Sequence, residues 1–294
     1  NSQRVAALWK SQYGQDVDGV IGIDPVFLQY LLGLVGNVSL PDGTVVDGTN
    51  AAKVLMHDVY WNYPVEESDG IFASVASAAF DKILGGIGDV DVTKLVSAVE
   101  RGAEEGRLIA WMRNDDEQNA IKETGIDASL PDPDDPSADP VAGVYFNNLS
   151  FSKLDWYLNA DTQIGQGIKN GDGTCSYRIT VTLTNIMTQE EAGKLPDYVA
   201  ASAPDAARDD ERLNVSLFAP TGGNITDLTV EGTQFGLGAA TWHGIPFYSG
   251  TVDLHAGETT TITYTLATSA EAGEKPLTLR QTPTCQAARD SASA

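Results

Sequence analysis

The stretch YRITVTLTN, residues 177–185, decides how the second half of this 294-residue chain folds. Tyr177, Ile179, Val181 and Leu183 alternate with Arg178, Thr180, Thr182 and Thr184, a period of two that turns one face of a strand to a core and the other to water. The pattern returns in TTITYTLAT, residues 260–268, where Ile262, Tyr264 and Leu266 share a face. Working outward, strands are predicted at Val144–Phe146, Trp156–Ile164, Tyr177–Asn185, Leu213–Ala219, Ile225–Glu231, Ile245–Leu254 and Thr259–Ala267.

Seven short strands parted by Gly, Pro, Asp and Asn turns predict an antiparallel β-sandwich of immunoglobulin-like type over residues 143–294. Cys175 and Cys285 are the only cysteines; the first stands just before the strand at 177–185 and the second near the chain's end. Bridged, they would close a loop of about 110 residues, for which loop entropy predicts a gain on the order of 4–5 kcal/mol. A bridge would also imply an oxidising compartment. The alternative is two unpaired buried thiols.

Upstream, the helical and strand periods are mixed. Ser2 is placed to cap a short helix carrying Val5, Leu8 and Trp9, and VDGVIGID, residues 17–24, reads as a short buried strand. Asp24 then caps a helix from Pro25 to Leu34 that Gly36 stops. Val38–Val46 reads as a hairpin about Pro41-Asp42-Gly43. Helices follow at Asn50–Tyr60, Asp69–Leu84 and Val92–Glu105, then a strand at Arg107–Met112 and a helix at Asp115–Glu123. The overall class is α+β, with an α/β unit over 1–125. IDASLPDPDDPSADPV, residues 126–141, holds four prolines and five aspartates and marks residues 126–142 as an acidic linker.

Forty-one acids against 18 bases give a net charge of −23. Such a field repels polyanions, so nucleic acid is excluded as a partner and anionic lipid is disfavoured. The simplest reading of the acidity is solubility. The three histidines are not spaced as a helical metal pair, and no nucleophile elbow, phosphate loop or dinucleotide fingerprint is present. No catalytic residue and no cofactor is assigned. Acids cluster at Asp16, Asp18 and Asp24 and again at Asp58, Glu66, Glu67 and Asp69, but a chain with 41 acids produces such groupings readily. Tyr60, Trp61, Asn62 and Tyr63 form the candidate ligand-binding stretch, since sugar rings stack on aromatic platforms; the alternative is that the rings fill the core.

The series VDGVIGIDPVFLQYLLGLVGNVSLPDGTVVDGTNAAKVLMHDVYWNYP (17–64), DGIFASVASAAFDKIL (69–84), LIAWMRNDDEQNAI (108–121) and FNNLSFSKLDWYL (146–158) resembles the actinobacterial family called domain of unknown function 4012. That resemblance implies an extracytoplasmic protein, tethered to the membrane by a helix upstream of Asn1 and encoded among surface-polysaccharide genes. The first segment is also distantly similar to the LytR-CpsA-Psr ligases, which transfer glycopolymers from polyprenyl phosphate carriers to the cell wall. In those ligases the helix after the hairpin leads to an arginine-rich stretch that grips pyrophosphate. Here Tyr60, Trp61, Asn62 and Tyr63 stand there, followed by Glu66, Glu67, Ser68 and Asp69, with no arginine.

Phosphoryl transfer needs cationic stabilisation. The expectation is therefore a cell-surface binding or scaffolding protein whose partners are a surface polysaccharide or lipid-linked glycan and envelope assembly proteins. Two alternatives stand beside it. One is a glycopolymer phosphotransferase in which Asp58, Glu66 or Asp69 holds Mg2+. The other is an adhesive or stalk protein.

Overall fold

A computed structural model describes residues 2–40, 42–128, 131–231, 238–286 and 291–292. The chain divides between Leu130 and Pro131 into two units. The architecture is mixed α and β, and most strand pairs are antiparallel. No described helix is long and apolar enough to cross a membrane. Pro41 of the expected turn, and Ser129 and Leu130 of the expected linker, lie outside the described residues.

The first unit runs α1 (Ser2–Tyr13), β1 (Gly19–Ile23), α2 (Pro25–Val35), β2 (Val38–Ser39) and β3 (Val45–Val46). A helical rod follows, made of α3 (Ala51–Lys53), a π turn (Val54–Asp58) and α4 (Val59–Asn62). Then come α5 (Val65–Gly86), a 3-10 turn (Ile87–Asp89), α6 (Val92–Glu104), β4 (Leu108–Met112) and α7 (Asp115–Glu123). The α2 boundaries follow from local chemistry. Asp24 Oδ1 accepts from the Phe27 amide at 2.7 Å, Pro25 opens the first turn, and Gly36 ends the helix at φ 93°, where a side chain would be strained. Leu32, Val46, Val54, Val59, Ile71 and Val75 form the core shared by α2, the β2–β3 hairpin, the rod and α5. Helix α2 and the turn entering α3 approach closely because two glycines meet: a Cβ on Gly48 would stand 2.4 Å from the Gly33 Cα.

The second unit holds β5 (Val141–Asn148), a 3-10 turn (Asp155–Tyr157), β6 (Leu158–Ile164), β7 (Ile168–Lys169), β8 (Cys175–Asn185) and α8 (Gln189–Ala192). It continues with β9 (Glu211–Phe218), β10 (Asn224–Val230), β11 (Gly238–Trp242), β12 (Ile245–Leu254), β13 (Thr259–Ala267), β14 (Thr278–Gln281) and β15 (Ser291–Ala292). One sheet orders β10-β13-β8-β6-β15, with β7 also on β8; the other orders β11-β12-β9-β5-β14. Both enclose one core. Val181 stands opposite Ile262 and Ile179 opposite Tyr264, and all four are fully buried, so the period-two pattern of 177–185 is realised with its apolar face inward. Each such side chain contributes roughly 1.5–3 kcal/mol. On the outer face threonines pair across strands, with Thr184 and Thr259 hydroxyls 2.9 Å apart.

Three expectations are corrected. The strand at 19–23 is not buried: β1 pairs only β4, in a two-stranded antiparallel sheet, and Ile21 is 64% exposed. A run of apolar residues does not require two covering layers. The acidic segment is not a free linker from Asp132 onward, because the carbonyl of Asp132 accepts from Thr221 Oγ1, that of Pro136 from Ser269 Oγ, and that of Ser137 from Lys275 Nζ.

No Cys175–Cys285 bridge forms. Cys175 begins β8 and turns its thiol to the Gly273 carbonyl at 3.7 Å. Gln286, next to Cys285, donates to the Trp156 carbonyl at 2.8 Å, and Leu158 pairs with Asn185 at the other end of β8. A strand of that length separates the thiols by roughly 30 Å, whereas a bridge needs Cα atoms within about 7 Å. The compartment argument drawn from a bridge falls with it.

Candidate functional site

The expected aromatic stretch sits on the rod and on the residues that leave it. In the π turn the Val59 amide bonds the Val54 carbonyl, five residues back. That wider turn brings positions five apart to one side, and Lys53 Nζ reaches both Asp58 oxygens at 2.7 and 2.9 Å. His57 Nδ1 approaches Asp58 Oδ1 at 2.7 Å, and the imidazole stacks on Trp61 with centroids 5.3 Å apart. Burial pushes the Asp58 carboxyl up, but the hydrogen bonds from Lys53 and His57 outweigh it and hold it below the usual carboxylate range.

The four candidate ligand residues do not make one platform. Tyr60 packs against Phe72 at 5.4 Å, Trp61 lies on His57, Asn62 is exposed, and the Tyr63 hydroxyl donates to Asp42 in the β2–β3 connection. That hydrogen bond raises the Tyr63 phenol and lowers the Asp42 carboxyl. Trp61 keeps one unused function: its indole N–H, a donor only, is buried with no partner among the described residues. The metal candidates are likewise dispersed. Asp58 is committed to Lys53 and His57, whereas Glu66 and Asp69 are exposed at the start of α5.

Sequence reading missed a second cluster, at the junction of α2, α6 and β4. Asp24 Oδ2 accepts from the Arg107 guanidinium at 2.7 Å while its Oδ1 caps α2. Arg107 also donates to Glu105, whose carboxylate takes Arg101 at 2.7 Å and the Tyr30 hydroxyl at 2.8 Å. The Arg101 guanidinium lies 4.2 Å from the Tyr30 ring centroid. Two guanidinium groups thus face two carboxylates and the local charge sums to zero. Burial raises the Glu105 carboxyl, yet Arg101, Arg107 and Tyr30 together hold it below its ordinary value. Gly102 makes the junction possible, since a Cβ there would meet the Phe27 ring at 2.3 Å.

In the second unit Glu211 faces the core with both carboxylate oxygens buried and unpartnered among the described residues. Burial drives its carboxyl well above the usual range, and the nearby Asp155 charge pushes the same way. Asp155 is itself raised by burial, against a hydrogen bond from Asn148. Among the described residues one trio of ligating side chains, Asp209, Asp210 and His255, brings its ligand atoms within 4.8 Å of one another.

No curated protein matches the chain. A two-domain M1 zinc metallopeptidase mutant bound to L-tryptophan is similar at 14% identity over 38% of this chain and 20% of that one, with a TM-score of 0.20. An M1 zinc metallopeptidase mutant from Deinococcus radiodurans is similar at 11% identity over 44% of this chain and 20% of that one, with a TM-score of 0.19. The chain spans about a fifth of the length of those structures, and similarity at this level carries no argument. Residues 1–60, which contain VDGVIGIDP and the helix it opens, match the family described as protein of unknown function (DUF4012), and over those residues the expected family resemblance holds.

Proposed function

We propose that this chain is an extracytoplasmic binding or scaffolding protein in the assembly or display of a bacterial surface polysaccharide. The first unit is read as related to the LytR-CpsA-Psr plan and the second as a sandwich of immunoglobulin-like size. Its strand order is its own, because the chain changes sheet from β9 to β10, from β10 to β11, from β12 to β13 and from β13 to β14, whereas immunoglobulin domains keep strands D and E in one sheet.

One observation carries the functional reading. Three cations of the first unit are already neutralised within the chain: Lys53 by Asp58, Arg101 by Glu105, and Arg107 by Asp24 and Glu105. A phosphoryl-transfer centre aims its positive charge at the reacting group. The partly exposed rings of Tyr60, Trp61 and Tyr63, although turned to separate neighbours, instead suit a neutral glycan.

The phosphotransferase reading has one feature in its favour, that Arg101 and Arg107 converge on a single carboxylate, Glu105, which a phosphate could displace. Displacement would leave the partly exposed Glu105 beside the phosphate without its guanidinium partners, a like-charge contact that opposes it.

Titration calorimetry with purified envelope polysaccharide and with a polyprenyl pyrophosphate analogue separates the readings. Saturable glycan binding that Trp61→Ala weakens supports the proposal. Consumption of the lipid pyrophosphate supports the ligase alternative. Absence of binding to glycan, lipid carrier and assembly proteins leaves the stalk reading and removes the proposal.

A further inference from the structure

At one end of the second unit, buried Asn185 ties three loops together. Its Nδ2 donates to the carbonyls of Asp209 at 3.2 Å and Leu254 at 3.1 Å, its N–H to the Glu258 carbonyl at 3.0 Å, and its own carbonyl accepts from Gly257 at 2.9 Å. The residues entering β9 are thereby fixed against those leaving β12. Asp209 Oδ2 accepts from the Ala256 amide at 3.1 Å and Asp210 Oδ2 from the Ala207 amide at 2.6 Å. Each carboxylate so commits one oxygen to the backbone and turns the other to His255. His255 Nδ1 lies 3.8 Å from Asp209 Oδ1 and 2.5 Å from Asp210 Oδ1. Asp210 is only 4% exposed, and its buried Oδ1 touches His255 Nδ1 without an aligned hydrogen bond.

We propose that Asp209, Asp210 and His255 form a site for a borderline divalent cation, with Zn2+ the best fit. Charge gives the first reason. Two carboxylates meet at most one imidazolium, and the adjacent guanidinium of Arg212 is spent on Asp253 at 2.7 and 3.1 Å. A divalent ion balances both carboxylates and leaves the imidazole neutral as a ligand. Geometry gives the second. Ligand atoms on one tetrahedral zinc are about 3.3 Å apart; the 3.8 Å pair lies near that value, and the 2.5 Å pair needs to open by under about 1 Å to admit the ion. Tying the second oxygen of each carboxylate to a backbone amide is the outer-shell support that orients metal ligands. An imidazole in the set selects zinc over calcium or magnesium, which prefer all-oxygen shells. His255 is half exposed, so water completes the coordination. This site lies in the second unit and does not rest on the glycan reading of the first.

The test uses the full chain, stripped with EDTA and titrated with ZnCl2 in excess Mg2+, which saturates the diffuse acidic surface. One saturable site is expected, with a rise in melting temperature. His255→Ala and Asp209→Asn should each weaken Zn2+ by about tenfold or more while leaving circular dichroism unchanged. Co2+ should give visible ligand-field absorption in the wild type that His255→Ala abolishes. Zn2+ binding that survives both substitutions, or none beyond that of dispersed surface acids, overturns the proposal.

Discussion

Replacing Glu211 by Gln should change how stability depends on pH rather than merely shift it. Glu211 is fully buried and its oxygens have no hydrogen-bond donor among the described residues. Keeping its proton at pH 7, against an ordinary value of 4.5, costs about 3.4 kcal/mol. Ionising it in place costs several kcal/mol with no cation to compensate, and the nearby Asp155 charge adds to that cost. Burial therefore favours the protonated form. Because the folded carboxyl is raised, the folded state holds a proton that the unfolded state has released above about pH 4.5. Stability must then fall as pH rises, by about 1.4 kcal/mol per unit, until the folded value is reached. Glutamine carries no such proton. Equilibrium urea unfolding of both proteins, followed by far-UV circular dichroism above about pH 5, should give a stability difference that grows with pH in favour of Glu211→Gln, by at most about 1.4 kcal/mol per unit. A difference that stays constant over that range would refute the reasoning and mean that Glu211 ionises in the folded state or is buried less than described.

Arg107→Met should destabilise the first unit by about 3–5 kcal/mol, since it leaves Asp24 and Glu105 facing each other without their buried guanidinium; thermal unfolding measures this. Gly48→Ala should cost at least about 1–3 kcal/mol, because the new methyl meets backbone at Gly33 rather than a movable side chain. Thr188→Ala removes a reciprocal cap in which Thr188 and Glu191 each bond the other's amide, and should lower stability by about 1 kcal/mol. Thiol titration of the denatured, unreduced protein should find both Cys175 and Cys285 reactive, and reductant should not alter the melting temperature.

Legibility in the sequence followed the range of the interaction. The strands at 245–254 and 259–267 and the helix at 115–123 emerge with the expected bounds, since period and caps are written within a few residues. Asp24 and Pro25 announced α2 in the same way. Strands β7, β11, β14 and β15 were missed because they are short or lack alternation, and β14 and β15 join their sheets only through parallel pairing with distant strands. The Asp24–Arg107 pair spans 83 residues and left no local trace. Nor did the trio at Asp209, Asp210 and His255, whose members meet only because Leu254 stands opposite Glu211. The aromatic stretch at 60–63 was visible as composition, yet the helix turned its rings to separate neighbours. The expected disulfide failed for a related reason, as spacing along a chain does not report which end of a strand a residue approaches.

The proposal made for the first unit is that it binds a glycan rather than a pyrophosphate. It is tested most directly by competitive binding, in which Trp61 fluorescence is read while purified envelope polysaccharide and a polyprenyl pyrophosphate analogue are added in turn. A saturable change with the polysaccharide, absent in Trp61→Ala, is expected, with no displacement by the analogue. Saturable binding of the analogue that Arg101→Ala or Arg107→Ala abolishes, with no response to the glycan, would contradict it.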